Sequence, residues 1–160
     1  MSISANQAPW IRMRTAMPFV WVAALAVVGG GVLSAAMAHA PGRTAMWAVA
    51  YLVLVVGVVQ AVLGVGQALL SRQGPNARIL TVEWLAFNAG NAGVIAGTVV
   101  VSWPVVLAGT LLFVLALAVF LHATRTARRG WLVHAYRLLI VCMGGSAIVG
   151  LLLSATRTLH

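Results

Sequence analysis

Hydrophobic residues form five long runs along the chain, separated by short polar links that contain Pro, Gly and Arg. Each run is near the ~20 residues that a helix needs to cross the hydrocarbon core of a bilayer. The pattern therefore predicts an all-α protein, a polytopic integral membrane bundle of five helices in a single transmembrane domain over residues 1–160. The predicted spans are 16–37, 45–70, 79–101, 104–122 and 131–155.

The distribution of arginines between the links predicts how the bundle is oriented. If the N-terminus is cytoplasmic, seven arginines fall on the inner side and two on the outer side, with Arg137 inside a span. Cytoplasmic segments near a membrane are enriched in basic residues, so we expect the N-terminus in the cytoplasm and the C-terminus outside. The inner arginines are Arg12, Arg14, Arg72, Arg78, Arg125, Arg128 and Arg129, and the outer ones are Arg43 and Arg157.

Composition supports a lipid environment for most of the chain. Hydrophobic residues make up 62% and charged residues only 7%, whereas about a quarter of a soluble domain is charged. The net charge is +9 and all ten basic residues are arginines, placed mainly between the apolar runs. We expect them to contact lipid headgroups and not nucleic acid, because no basic helix face or base-stacking platform is present. The all-arginine, alanine- and valine-rich composition indicates a high-GC bacterial gene, and with the apolar spans we expect a multi-pass protein of the bacterial plasma (inner) membrane.

One acidic residue, Glu83, stands in the third span and is the only carboxylate side chain in the chain. A lone carboxylate in an apolar span is costly and marks an ion pair or a functional site. Arg137 lies at nearly the same depth in the fifth span, so the sequence predicts a buried ion pair between Glu83 and Arg137. The alternative is that each side chain extends separately to the headgroups.

Helical spacing adds further polar residues to this site. The third span places Asn91 on the face of Glu83, and the second span aligns Gln60 and Gln67 with two glycines. We favour helix-packing contacts through amides and small residues; a polar cavity for a small ligand or a proton is the alternative. The face of the fifth span predicted to join them comprises His134, Arg137, Val141, Gly144, Gly145 and Ile148. The predicted buried polar site is Glu83, Arg137, His134, Asn91, Gln67 and Gln60.

Cofactor and catalytic chemistry have little support in the sequence. His122 and His134 are candidate ligands for a b-type haem or a metal, but they flank one short loop near the predicted membrane surface, where a haem held between helices would not have its ligands. We therefore predict no cofactor and no metal. The chain has no Asp, no paired carboxylates, no Gly-x-Ser-x-Gly and no His-Glu-x-x-His. These absences disfavour an enzyme.

Three functions fit these features. The first is a non-catalytic membrane subunit that packs against partner membrane proteins or copies of itself through small-residue and polar helix faces. The second is a small proton-coupled transporter or channel that uses Glu83. The third is a haem b- or quinone-binding electron-transfer subunit. We prefer the first, because the glycine-rich faces suit helix association and no catalytic group is evident.

The predicted orientation can be tested with reporters fused after His160. A reporter that works only outside the cytoplasm should be active there, because the inner side carries most of the arginines. The same reporter fused after the second span, in the link before Arg78, serves as the control and should be inactive. Activity in the reverse order would contradict the orientation.

Overall fold

The computed structural model describes residues 9–40, 42–70, 77–125, 127 and 130–158. Within these ranges the chain is entirely helical apart from short turns, and five helices are long and apolar enough to cross a membrane. The all-α prediction with five such helices is confirmed in the described part of the chain. The helices are α1 (Pro9–Ala36), α2 (Arg43–Leu70), α3 (Ala77–Val99), α4 (Trp103–Ala123) and α5 (Trp131–Thr158).

Most helix ends differ from the predicted bounds by one to three residues and the start of α1 by seven; two of these ends are informative. Helix α1 begins at Pro9, well before the start of its apolar run, and α3 ends at Val99 and not at residue 101. At the end of α3 the Ser102 N–H donates to the Gly97 carbonyl oxygen at 2.8 Å, and Val101 has a φ of 53°. This bond is typical of a helix C-cap whose left-handed residue is usually glycine. A β-branched valine there is strained, and the cap stops the helix inside the apolar run.

Helix α2 contains a π-helical segment, Leu52–Val59, between its two α-helical parts. At 3.6 residues per turn, an unbroken α-helix would place Tyr51 and Gln67 about 160° apart, on nearly opposite faces. In the structure both side chains hydrogen bond to α3. The wider π-helical turns have bonds from residue i to i+5 and change the rotation of the first half of α2 relative to the second. Tyr51 and Gln67 therefore both face α3.

The helices pack as two antiparallel pairs, α1 with α2 and α3 with α4, and α5 packs mainly on α4. The closest contact is between α3 and α4 and depends on glycines. A Cβ added to Gly109 would lie 2.6 Å from the Val94 backbone nitrogen, and one added to Gly90 would lie 2.6 Å from the Phe113 backbone nitrogen. Small residues at these positions allow the two backbones to approach closely.

Phenylalanines from three helices form the centre of the bundle. Phe120 on α4 packs against Phe19 on α1, with ring centroids 5.7 Å apart, and against Phe87 on α3 at 6.2 Å. Phe87 also packs against Phe113 at 5.3 Å. These tilted and edge-to-face contacts are the favoured geometries of aromatic pairs. Phe87, which joins the cluster to α3, lies one helical turn from Glu83, so the cluster adjoins the polar site.

The glycine contact predicts an effect of Gly109→Ala. The added methyl group meets backbone atoms that cannot move aside, so we expect a loss of about 1–3 kcal/mol in the free energy of unfolding. Gly31→Ala on α1 is the matched control, because a Cβ there meets no atom within 4 Å; it should be neutral or slightly stabilising. Reversible unfolding in detergent micelles, followed by circular dichroism, measures both. Equal stability of the two variants would contradict the contact.

Candidate functional site

The site is at one end of the bundle, where α1, α3 and α5 begin and α2 and α4 end, which we call the basic end. Glu83 lies about 9 Å along α3 from its start and is fully buried, with 0% of its surface exposed. Gln67, near the end of α2, is 1% exposed, and its Nε2 donates a hydrogen bond to Glu83 Oε2 at 2.8 Å. An amide–carboxyl contact thus joins α2 and α3 at the basic end.

Several polar atoms in this region have no hydrogen-bond partner among the described residues. They include the second oxygen of each member of the contact, Glu83 Oε1 and Gln67 Oε1. They also include both amide atoms of Gln60, which is fully buried two turns further along the same face of α2. Buried polar groups in folded proteins are nearly always partnered, and an unpartnered one is costly. The contact between Gln67 and Glu83 is therefore only half satisfied.

Arg137 does not pair with Glu83, so the predicted ion pair is corrected. Its guanidinium Nη2 donates to the Thr124 carbonyl oxygen at 2.7 Å, and within the described ranges Glu83 accepts only the bond from Gln67. Thr124 follows α4 directly, and the last carbonyls of a helix lack internal donors and favour a cation. The two charges lie at similar depth, but Arg137 is directed to the end of α4.

The predicted face of α5 is also wrong. The buried side of its first half is formed by Val133, Tyr136 and Ile140, whereas His134 and Val141 are exposed. Tyr136 O–H donates to the Leu63 carbonyl oxygen of α2 at 2.9 Å. The helix is apolar nearly all round, so the spacing of its hydrophobic residues does not indicate which face is buried. The useful signal was the tyrosine, because a phenol within an apolar run usually finds a partner for its hydroxyl group.

Asn91 forms a second polar contact, in the opposite half of the bundle. Tyr51 O–H on α2 donates to Asn91 Oδ1 at 2.7 Å, and Asn91 Nδ2 donates to the Phe87 carbonyl oxygen at 2.8 Å. Asn91 was predicted from its helical spacing to Glu83, but Tyr51 was not. The side-chain amide uses a donor and its acceptor within the fold, so this contact serves helix packing.

A cleft of about 440 Å³ lies between α2, α3, α4 and the second half of α5. None of the described residues that line it is charged. The hydroxyl groups of Thr98, Ser146 and Ser154 each donate to a carbonyl of their own helix. These three hydroxyl groups are therefore already satisfied as donors, and the cleft offers mainly apolar surface.

The two histidines considered as haem or metal ligands are both exposed. His122 ends α4 and His134 begins α5. In the described part of the chain, no three His, Cys, Asp or Glu side chains lie together as a metal site. The placement of the histidines gives no support to a haem held between helices, and the absence of a cofactor stays a prediction.

Comparison with known proteins gives no match, either to a family model or to a curated protein or solved structure. The class of protein is therefore inferred from the fold alone. The five helices of this length and apolarity in the described part of the chain indicate a multi-pass membrane protein.

Double-mutant cycles distinguish the observed contact from the ion pair that was predicted. Glu83→Met and Gln67→Met should be coupled by about 0.6 kcal/mol, and by at most about 1.7 kcal/mol, because they remove one interhelical hydrogen bond. Glu83→Met and Arg137→Met form the control cycle and should be additive within about 0.5 kcal/mol. Unfolding free energies in micelles provide both values. Strong coupling to Arg137, with none to Gln67, would contradict the site geometry.

Proposed function

We propose that the chain is a non-catalytic, multi-pass subunit of a bacterial plasma membrane, with a cytoplasmic N-terminus and an external C-terminus. In this proposal it assembles with a second copy of itself through α5. The orientation rests on the arginines: those within the described ranges at the basic end, where α1 begins, outnumber the two at the other end, Arg43 and Arg157. The basic-end arginines are Arg12, Arg14, Arg78, Arg125 and Arg137.

The observation that carries the assembly proposal is how little of α5 the fold buries. Only 6% of its most apolar stretch is buried, compared with 39% for α4. Large side chains along its outer side are more than half exposed, among them Leu138, Val149 and Leu152. This surface suits lipid or another helix, and its residue pattern favours a helix.

One stripe of exposed positions on α5 follows alternating spacings of four and three residues. A helix that is exposed on most sides has such a stripe on several faces, so the spacing only permits side-by-side pairing with a second helix, and the glycine within this stripe distinguishes it. A Cβ added to Gly145 meets no atom within 4 Å, so this glycine leaves a notch in the surface. The positions are Trp131, Ala135, Leu138, Cys142, Gly145, Val149 and Leu152.

The chemistry of this face favours a second copy as the occupant. No charged residue occurs between residues 138 and 156, so a partner helix that suits this face is apolar. Helix α5 itself offers both large side chains and a notch at Gly145. In a two-fold contact the same face is used on both subunits, and each leucine or valine lies beside the partner's small residues.

A second candidate function, a small proton-coupled transporter or channel, is favoured by a specific observation. Glu83 is buried with one carboxyl oxygen unpartnered, and Gln60 lies deeper in the bundle with its whole amide unpartnered. Ionisable and polar residues inside membrane bundles often mark ion or proton paths. The phenylalanine cluster beside Glu83 would then separate the carboxyl from the cleft.

Cys142 provides a direct test of the assembly proposal, because it is exposed on the proposed face and is the only cysteine in the chain. Mild oxidation in membranes should give a disulfide-linked dimer, since a close helix pair can bring the two Cα atoms within about 7 Å. Gly145→Leu should lower the yield several-fold by holding the helices apart. Gly31→Leu, at another open glycine, should leave it unchanged.

Random collision is controlled with Leu115→Cys in a Cys142→Ala background, because Leu115 is exposed on α4. That variant should give little dimer. Absence of a dimer through Cys142, or an equal yield from both positions, would contradict assembly through α5 and leave lipid as the occupant of that face.

A further inference from the structure

Gln67 and Glu83 each carry one oxygen without a donor, although the two groups are already in contact. The bond present runs from Gln67 Nε2 to Glu83 Oε2 at 2.8 Å. The oxygens without a donor are Gln67 Oε1 and Glu83 Oε1, and both are buried. Both are acceptors when the carboxyl group is ionised, so neither can satisfy the other.

A carboxylic acid and a carboxamide have complementary edges. The amide N–H donates to one acid oxygen, and the acid O–H donates to the amide oxygen, which gives two parallel hydrogen bonds. The first of these bonds is present in the structure. The second needs a proton on one of the two unpartnered oxygens and the approach of that oxygen to the other.

We propose that the Gln67–Glu83 contact is a proton-binding site, in which Glu83 holds a proton on Oε1 and donates it to Gln67 Oε1. The step forms one O–H bond between the carboxylate and a proton delivered by hydronium from the aqueous phase, which is left as water. It partners both orphan oxygens at once. It also removes the net charge of a side chain that is fully buried, which would be costly to keep ionised without a cation beside it.

Two other ways of stabilising the buried carboxyl group, an arginine partner and a metal cation, fit the structure less well. Arg137 does not serve as a cationic partner, because its guanidinium donates to the Thr124 carbonyl oxygen while Glu83 Oε1 accepts no bond from the described residues. A metal cation with oxygen ligands takes about six or more of them, and the contact offers two unpartnered oxygens. A proton needs one donor position and one acceptor, which is what Glu83 Oε1 and Gln67 Oε1 supply.

Four helices carry charged or titratable groups toward the basic end. Tyr136 is the buried one, and its hydroxyl is committed to the Leu63 carbonyl oxygen, so it does not donate to Glu83. The described residues of α2 near Gln67 contribute no charged group. The others are Arg14 on α1, Arg78 on α3, His122 on α4 and His134 on α5, all exposed, and the half-buried Arg137 on α5.

This inference does not depend on assembly through α5, because every group involved belongs to one chain. A proton site at the basic end would supply the protonatable group that the transport function needs. It would equally serve a subunit as a neutral contact that holds α2 and α3 together.

Infrared spectroscopy of the full chain in liposomes tests the proposal. Glu83 is the only acidic side chain, so glutamate labelled with ¹³C at its side-chain carboxyl carbon, introduced by cell-free synthesis, reports on this residue. At pH 7.5 in choline chloride, the label should shift the C=O stretch of a neutral acid, and Glu83→Gln should lack that band. Gln67→Leu should move it to higher frequency, because the acid loses its hydrogen-bond partner.

Carboxylate bands from the labelled wild-type chain at pH 7.5 would overturn the proposal, whatever the variants do. Conversion of the neutral-acid band into carboxylate bands when sodium chloride replaces choline chloride would overturn it too, because the site would then take a metal cation. The wild-type spectrum decides without any substitution, so a variant that fails to fold does not affect the outcome.

Discussion

The structure depends on how one carboxyl group is accommodated among apolar helices. Glu83 is fully buried, and among the residues that the structure describes its one hydrogen-bond partner is the amide of Gln67. A polar group that is removed from water must find its partners inside the fold, and in a bilayer no other source exists. The contact therefore constrains the end of α2 and the start of α3 to lie together, and the connection between them must allow it.

The rest of the bundle is consistent with that constraint. The π-helical segment of α2 turns Tyr51 toward the same helix that Gln67 contacts, so α2 is attached to α3 at two depths. Gly90 and Gly109 bring α3 and α4 close enough for backbone contact. Phe19, Phe87 and Phe120 fill the space between these pairs. Helix α5 is added at the side of α4, anchored at its basic end by Tyr136 and Arg137, and its outer face is left open.

The sequence predicted the features that depend on apolar length and on helical spacing within one span. Five runs gave five helices, and the spacing of Gln60 with Gln67 and of Glu83 with Asn91 placed all four on buried faces. It did not predict how one helix is rotated against another. Glu83 and Arg137 were matched by depth, but depth does not fix the direction in which a side chain points.

The packed faces of α2 and α5, and the π-helical segment of α2, could not be predicted from the hydrophobic pattern. The runs that form α2 and α5 are apolar nearly all round, so their hydrophobic pattern does not indicate which face is buried. The π-helical segment contains no proline that would indicate a change in the helix. Tyr51 and Tyr136 were the residues that could have indicated the packed faces, because each phenol hydroxyl donates to an acceptor on a neighbouring helix. The positive φ at Val101 could not be predicted either, because nothing in the sequence distinguishes this valine from the two valines before it.

A density map of the chain in lipid nanodiscs, at a resolution that shows side chains, tests the central contact most directly. The account predicts that the Gln67 carboxamide and the Glu83 carboxyl group face each other edge to edge, with both pairs of atoms at hydrogen-bond distance and Arg137 at the end of α4. A map that placed the Glu83 carboxyl group against an arginine, or directed it outward among acyl chains, would contradict it.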